Sequence, residues 1–277
     1  MEGIIYYNIG HKCLVRLAVS IYSLRKVYKG NVTILADEEG YGGCSKIARH
    51  FGTDIKKASF VIDSGRNVAL LNKCRINQIT PYDKSIFVDS DTLIFKDFSE
   101  CFKTLDNYEF LVPQFCNWKT NSRRIRKRIM AWQNKVYRQL IDRSLEQPHA
   151  INIGFYAFQK DAKIFDHWYG TAIKNRDSFI PDEIACQILV GSVNHFILPS
   201  TYNTSCKHEF ITPESKMVHY HGRKHCRLED GRYVFNSKLW YDAFDKLRGN
   251  DFIEDNIYLD KMLRSYLPHH LKLQAAK

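Results

Sequence analysis

Two short apolar runs near the start, IIYYN (Ile4–Asn8) and VTILAD (Val32–Asp37), enclose a stretch from Cys13 to Tyr28 in which Leu14, Leu17, Ala18, Ile21 and Leu24 recur at helical spacing. Neighbouring strands with a helix between them run parallel, because the helical crossover returns the chain to the same end of the sheet. The order predicts an α/β fold with a parallel sheet flanked by helices. Gly40, Gly42 and Gly43 read as a turn, followed by helices over Ser45–Phe51 and Val68–Ile79. Pro81-Tyr82-Asp83 marks another turn, and SIFVDSD (Ser85–Asp91) is a strand whose Ile86, Phe87 and Val88 lead straight into two acids. Further strands are predicted at Phe110–Phe115, Ile151–Phe158 and His195–Ser200, the last being a core strand. Helices are predicted over Ser122–Arg143, Ala162–Ile173 and Asp182–Val190, with helical patterns in the tail at Leu239–Leu247 and Tyr258–Leu267.

Hydrophobic residues make up 44% of the 277 and charged residues 26%, which excludes a disordered chain and allows one substantial core. Lysine and arginine outnumber the acids 41 to 30, so the surface attracts polyanions, an anionic membrane face or a nucleotide diphosphate. The run RRIRKR (Arg123–Arg128) lies on an amphipathic helix and fits an anionic acceptor. Together with sixteen tyrosines it also keeps a basic nucleic-acid-binding protein as the rival from another class. No nucleic-acid motif accompanies the charge, so no specific nucleic acid is expected as a partner. No apolar run reaches the length of a spanning helix, and MEGIIYYNIG lacks a signal peptide's features. The expectation is a soluble cytoplasmic protein, with peripheral membrane contact as the furthest extension of its charge. The eight cysteines stand singly, without CxxC pairs, and read as reduced thiols.

Asp89 and Asp91 fall one residue apart at the carboxyl end of a strand, where open α/β sheets bind their ligands. Paired carboxylates are hard oxygen ligands suited to Mn²⁺ or Mg²⁺, and such sites often share the ion with substrate phosphates.

The block SIFVDSDTLIFKDF (Ser85–Phe98) resembles the DxD block of A-type (GT-A) glycosyltransferases, especially family eight, the glycogenin and lipopolysaccharide galactosyltransferase group. The loop after the first strand, with Asn8 and Ile9, corresponds to that family's holder of the nucleotide base and ribose. LLNKCRINQITPYDK resembles its helix bearing a basic residue toward the diphosphate, here Lys73 or Arg75. Ala150-Ile151-Asn152-Ile153-Gly154 is similar to the strand whose Asn contacts the donor sugar, which makes Asn152 the match. IPDEIACQ resembles the acidic segment that reaches donor or acceptor hydroxyls, so Asp182 and Glu183 are both candidates. As acids at a helix start, either could instead serve as a cap. VHYHGRK resembles the HxxGxxK block, in which the His is the third metal ligand and the Lys meets the diphosphate. His219 and Gly222 keep that spacing, His221 is a rival ligand, and His225 stands where the Lys belongs, with Lys224 one residue early.

The resemblance implies a metal-dependent transferase that moves a sugar from a nucleoside diphosphate sugar, a UDP-sugar favoured, to a glycan or other hydroxyl acceptor. It implies Asp89, Asp91 and His219 as metal ligands, with Ser90 between the acids at the donor. It also implies the α/β GT-A fold, a Rossmann-like mixed, mainly parallel sheet flanked by helices, and leans toward retention of configuration. The corresponding division is a catalytic domain over 1–235, a nucleotide-sugar half to about 100 and an acceptor half beyond, followed by a helical extension over 236–277. The enzyme rival is a sugar nucleotidyltransferase, although YYNIGHKC has one glycine and not that group's glycine-rich phosphate loop.

Overall fold

The structure, a computed structural model, describes residues 1–59, 67–115, 118–206, 211–220, 239–257 and 259, with the backbone alone at 118–122 and 124. Strands β1 (Glu2–Asn8), β2 (Val32–Ala36) and β3 (Asp54–Lys57) alternate with helices α1 (Leu14–Val27) and α2 (Tyr41–Phe51). Helix α3 (Val68–Lys73) precedes β4 (Lys84–Val88) and the short β5 (Thr92–Ile94). Then come α4 (Glu100–Thr104), β6 (Phe110–Pro113), α5 (Trp118–Met130) and α6 (Arg138–Glu146). β7 (Phe155–Gln159), α7 (Ile164–Ile173), α8 (Pro181–Leu189), β8 (His195–Leu198), β9 (Thr204–Ser205) and β10 (Met217–His219) follow.

The main sheet has the order β3-β2-β1-β4-β7-β6-β8, parallel throughout except for β7, which runs antiparallel to both its neighbours. Its central strands are apolar on both faces because helices cover both. Ile4, Tyr6, Ile34, Ile86 and Val88 pack with α1, α2 and residues 240–257. The alternate residues Ile5, Leu35, Phe87, Tyr156 and Phe158 pack with α3, α7 and α8, and Phe87 stacks on Tyr156 at 4.8 Å. β1 and β4 are neighbours from which the chain departs in opposite directions. Their carboxyl ends, at Asn8 and Asp89, therefore border a crevice at a topological switch point. A small second sheet, β5-β10-β9, stands beside this crevice and places His219 opposite Thr92.

Several expectations need correction. Gly42 and Gly43 belong to the first turn of α2, because a side chain at Gly43 would meet Leu14 Cδ1 at 2.4 Å; the glycine lets α2 close onto α1. The helix over Ser122–Arg143 is two helices, α5 and α6, joined by turns at 131–137 in which Trp132 is buried. The strand over Ile151–Phe158 begins at Phe155; Ile151 makes only an isolated bridge to Gln114, and 152–154 bend into the crevice. His195–Leu198 is an edge strand, with Phe196 39% exposed. Six cysteines are free thiols, and Cys116 and Cys226 lie outside the described residues. Among the described residues no helix is long and apolar enough to cross a membrane.

Candidate active site

The turn after β4 is pinned before any ligand enters. Asp89 N–H donates to Gly154 O at 2.9 Å and Thr92 Oγ1 donates to Asp89 O at 2.8 Å. Thr92 in turn bonds Ser20 Oγ at 2.7 Å, tying the turn to α1. Tyr220 N–H donates to Asp91 O at 2.8 Å, fixing the second acid to the end of β10. Asp89, Asp91 and His219 consequently converge, each offering one ligand atom within 4.8 Å of the others. His219 Nε2 lies 3.1 Å from Asp91 Oδ1 and 3.7 Å from Asp89 Oδ2. Two carboxylates and an imidazole form a donor set that fits Mn²⁺ or Mg²⁺. Burial pulls the His219 pKa down, and Asp91 and Asp89 outweigh it, leaving the ring above its usual value.

His219 reaches this position because Gly154 gives way to it. A Cβ at Gly154 would stand 2.2 Å from His219 Cε1, and the glycine φ lies outside the left-handed region. Gly154→Ala therefore isolates the contact. It is expected to destabilise the fold by about 1–3 kcal/mol, read by urea unfolding, and to weaken Mn²⁺ binding measured by calorimetry.

Of the two basic candidates, Lys73 is the one that lies at the acids. Its side chain, 4% exposed, ends 2.9 Å from Asp89 Oδ1 and 4.0 Å from Asp182 Oδ2, with Nζ 5.0 Å from the Phe87 ring centre. Burial lowers its pKa, but Asp89 and Asp182 together hold it above the usual lysine value. Arg75 is directed elsewhere: it bonds Gln78 Oε1 at 3.1 Å and lies over the Tyr169 ring. Sequence reasoning missed Arg16. From the first turn of α1 it approaches Asp91 Oδ2 at 3.7 Å, and helical spacing gave no sign of it.

Asp182 and Glu183 open α8, whose N-cap residue is Ile180, with no side-chain cap bond. Neither acid occupies the cap position itself; both lie in the helix's first turn. Ile180 adopts φ 48°, a left-handed conformation strained for a β-branched residue, and Pro181 follows it. That turn delivers Asp182 to Lys73. Burial pushes Asp182 up to about 6 against the pull of Lys73, and its Oδ1 is buried with no hydrogen-bond partner among the described residues. Glu183, partly exposed, is pushed up to about 7 by burial and by Asp182 beside it.

A stability prediction follows from the sign of the Asp182 shift. The folded chain keeps this proton to about pH 6, whereas an unfolded aspartate releases it near pH ~4. Stability therefore falls as pH rises through that window. Asp182→Asn is expected to remove up to about 3 kcal/mol of that loss, read as a flatter pH profile of urea unfolding in metal-free buffer.

Asn152 has its Oδ1 engaged by Gly154 N–H at 2.9 Å and Asn203 Nδ2 at 2.6 Å, which leaves its amide NH₂ as the donor group. At the end of β1, Asn8 Nδ2 donates to Gly10 O at 2.6 Å. Asp37 accepts from the Gly10 and Gly40 N–H groups at 2.9 and 2.8 Å. Asn8 Oδ1 is buried with no hydrogen-bond partner among the described residues. Ile9 and Ser90 are partly exposed, one after β1 and one between the acids. Gly222, Lys224, His221 and His225 lie outside the described residues.

No protein-family model matches the chain, and no curated protein matches it. Solved structures do match in shape. The galactosyltransferase LgtC, solved with donor and acceptor sugar analogs, superposes on 92% of this chain and 100% of its own, with a TM-score of 0.63 and 13% identity. The fold is that of the A-type glycosyltransferases. The bifunctional glycosyltransferase WbbM, in its apo form, shares this A-type fold over 93% of the chain at a TM-score of 0.63 and 13% identity. The match spans 51% of WbbM, so this chain corresponds to about half of that protein. Mouse xyloside xylosyltransferase 1, also apo, matches 79% of the chain and 97% of its own at a TM-score of 0.56 and 12% identity.

Proposed function

We propose that the chain is a metal-dependent glycosyltransferase that moves a sugar from a nucleoside diphosphate sugar, a UDP-sugar favoured, to a glycan or other hydroxyl acceptor. The observation that carries the reading is the convergence of Asp89, Asp91 and His219 at the switch point of a sheet shared with glycosyltransferases. A divalent cation held by these three would neutralise the charge that develops on the departing diphosphate.

The chain's own groups divide the remaining work. Lys73 faces Asp89 and Arg16 faces Asp91, so these bases offset part of the acids' charge and, together with a bound cation, would let the crevice accept an anionic donor. The Asn8–Gly10–Asp37 hydrogen bonds shape the loop assigned to base and ribose. Asn152, its amide orientation fixed by two donors, presents an NH₂ group suited to a sugar hydroxyl. Asp182, held at Lys73, and Glu183 are the carboxyl groups assigned to donor or acceptor hydroxyls. Exposed Arg123 and Arg126 on α5 support an anionic acceptor. Retention of configuration accompanies the family-eight resemblance.

A panel of nucleoside diphosphate sugars, scored for slow hydrolysis with and without Mn²⁺, tests the reading and identifies base and sugar together. One donor is expected to turn over only with the cation. Pyrophosphate release from a nucleoside triphosphate would instead establish a nucleotidyltransferase. Salt-sensitive binding of single-stranded nucleic acid without metal-dependent nucleotide binding would establish the binding-protein alternative.

A further inference from the structure

A groove of ≈ 700 Å³ opens between α6, α7 and the end of α8, and none of Asp89, Asp91, His219 or Lys73 lines it. Leu140, Ile164, Leu189 and Val193 supply its apolar wall. Exposed Arg143, Lys163 and Lys174 border it, with Asp166 as the one acid among its lining residues. Tyr137, 81% exposed, also lines it. A hydrocarbon wall, a basic border and an exposed tyrosine are the components that meet at a membrane's anionic surface.

Gly170 is an independent observation. It lies inside α7 and lines the groove, where glycine is disfavoured relative to alanine. A Cβ there would meet nothing within 4 Å, and φ is not in the left-handed region, so neither packing nor backbone conformation requires glycine. What the missing side chain does is keep the groove open and its backbone approachable.

We propose that this groove binds an anionic lipid from a membrane surface, one hydrocarbon chain against the Leu140–Ile164–Leu189 wall and the headgroup at the groove's basic border. Its size lies within the roughly 300–1,000 Å³ of sites for single small ligands. A protein partner generally needs a face of about 800 Å². The lipid would hold the enzyme at the surface while the Asp89 crevice stays free, so the proposal stands independently of the assigned reaction.

The test uses the full chain and dodecyl phosphate below its micelle-forming concentration, followed by calorimetry. One equivalent is expected to bind, while inorganic phosphate and dodecyl maltoside do not. Gly170→Leu fills the groove and is expected to weaken binding at least tenfold, whereas Gly170→Ala keeps it within a few-fold. Lys163→Glu with Lys174→Glu, which leaves the interior untouched, is expected to abolish retention on phosphatidylglycerol-containing vesicles, with no retention on pure phosphatidylcholine. Mn²⁺ binding should be unchanged in every variant. Undiminished dodecyl phosphate binding by Gly170→Leu, undiminished vesicle retention by the double glutamate variant, or equal binding of inorganic phosphate overturns the proposal.

Discussion

Replacing Asp91 with alanine is expected to reduce cation-dependent donor hydrolysis by at least about 1,000-fold, roughly 4 kcal/mol of transition-state stabilisation. Asp91 sits where three roles meet. Its carboxylate is one of the three converging ligands, it fixes His219 Nε2 at 3.1 Å, and it faces Arg16 at 3.7 Å. The substitution therefore removes one ligand and releases a second. Circular dichroism should report the fold retained, because the main-chain bond from Tyr220 N–H to Asp91 O survives the change. Calorimetry should show Mn²⁺ binding lost. Full turnover by the variant would remove Asp91, and with it the assigned metal site, from the reaction.

Lys73→Met is expected to give the largest loss of stability, about 3–5 kcal/mol, because it strips the cation from between the buried Asp182 and the partly buried Asp89. Methionine fills much of the lysine's volume, so the effect reports charge and not a cavity. For a chain of this size the melting temperature should drop by roughly 5–10 °C. Asp182→Asn in the same background should recover part of the loss, since one of the two stranded acids is then gone. A double-mutant coupling of about 1 kcal/mol or more is expected. Strict additivity would mean that the 4.0 Å separation between Lys73 and Asp182 carries no energy.

The alternation of apolar runs and helical periods made the parallel half of the sheet readable, since strands buried on both faces leave continuous runs such as VTILA and SIFV. β3 escaped because Asp54–Lys57 is an exposed edge segment without an apolar pattern. β5, β9 and β10 have two or three residues each, too short for any period to register, yet they bring His219 to the acids. Asp89, Asp91 and His219 were identifiable from spacing and resemblance. The choice of Lys73 over Arg75 was not, because two residues apart on a helical segment they point in different directions, and only the packed neighbours decide which one meets Asp89. Ile180 is the opposite case. Nothing in a β-branched residue announces a left-handed turn, and the conformation is imposed by the packing around α8.

The partners of the ion pair His219–Asp91 are separated by 128 positions in the chain. During synthesis, both acids emerge long before the imidazole that completes their set, and all seven strands of the large sheet precede it as well. A nascent polypeptide stopped short of β10 would thus already own most of its hydrophobic interior while lacking the last member of the Asp89–Asp91–His219 cluster. The candidate site is completed late on the ribosome, after the architecture.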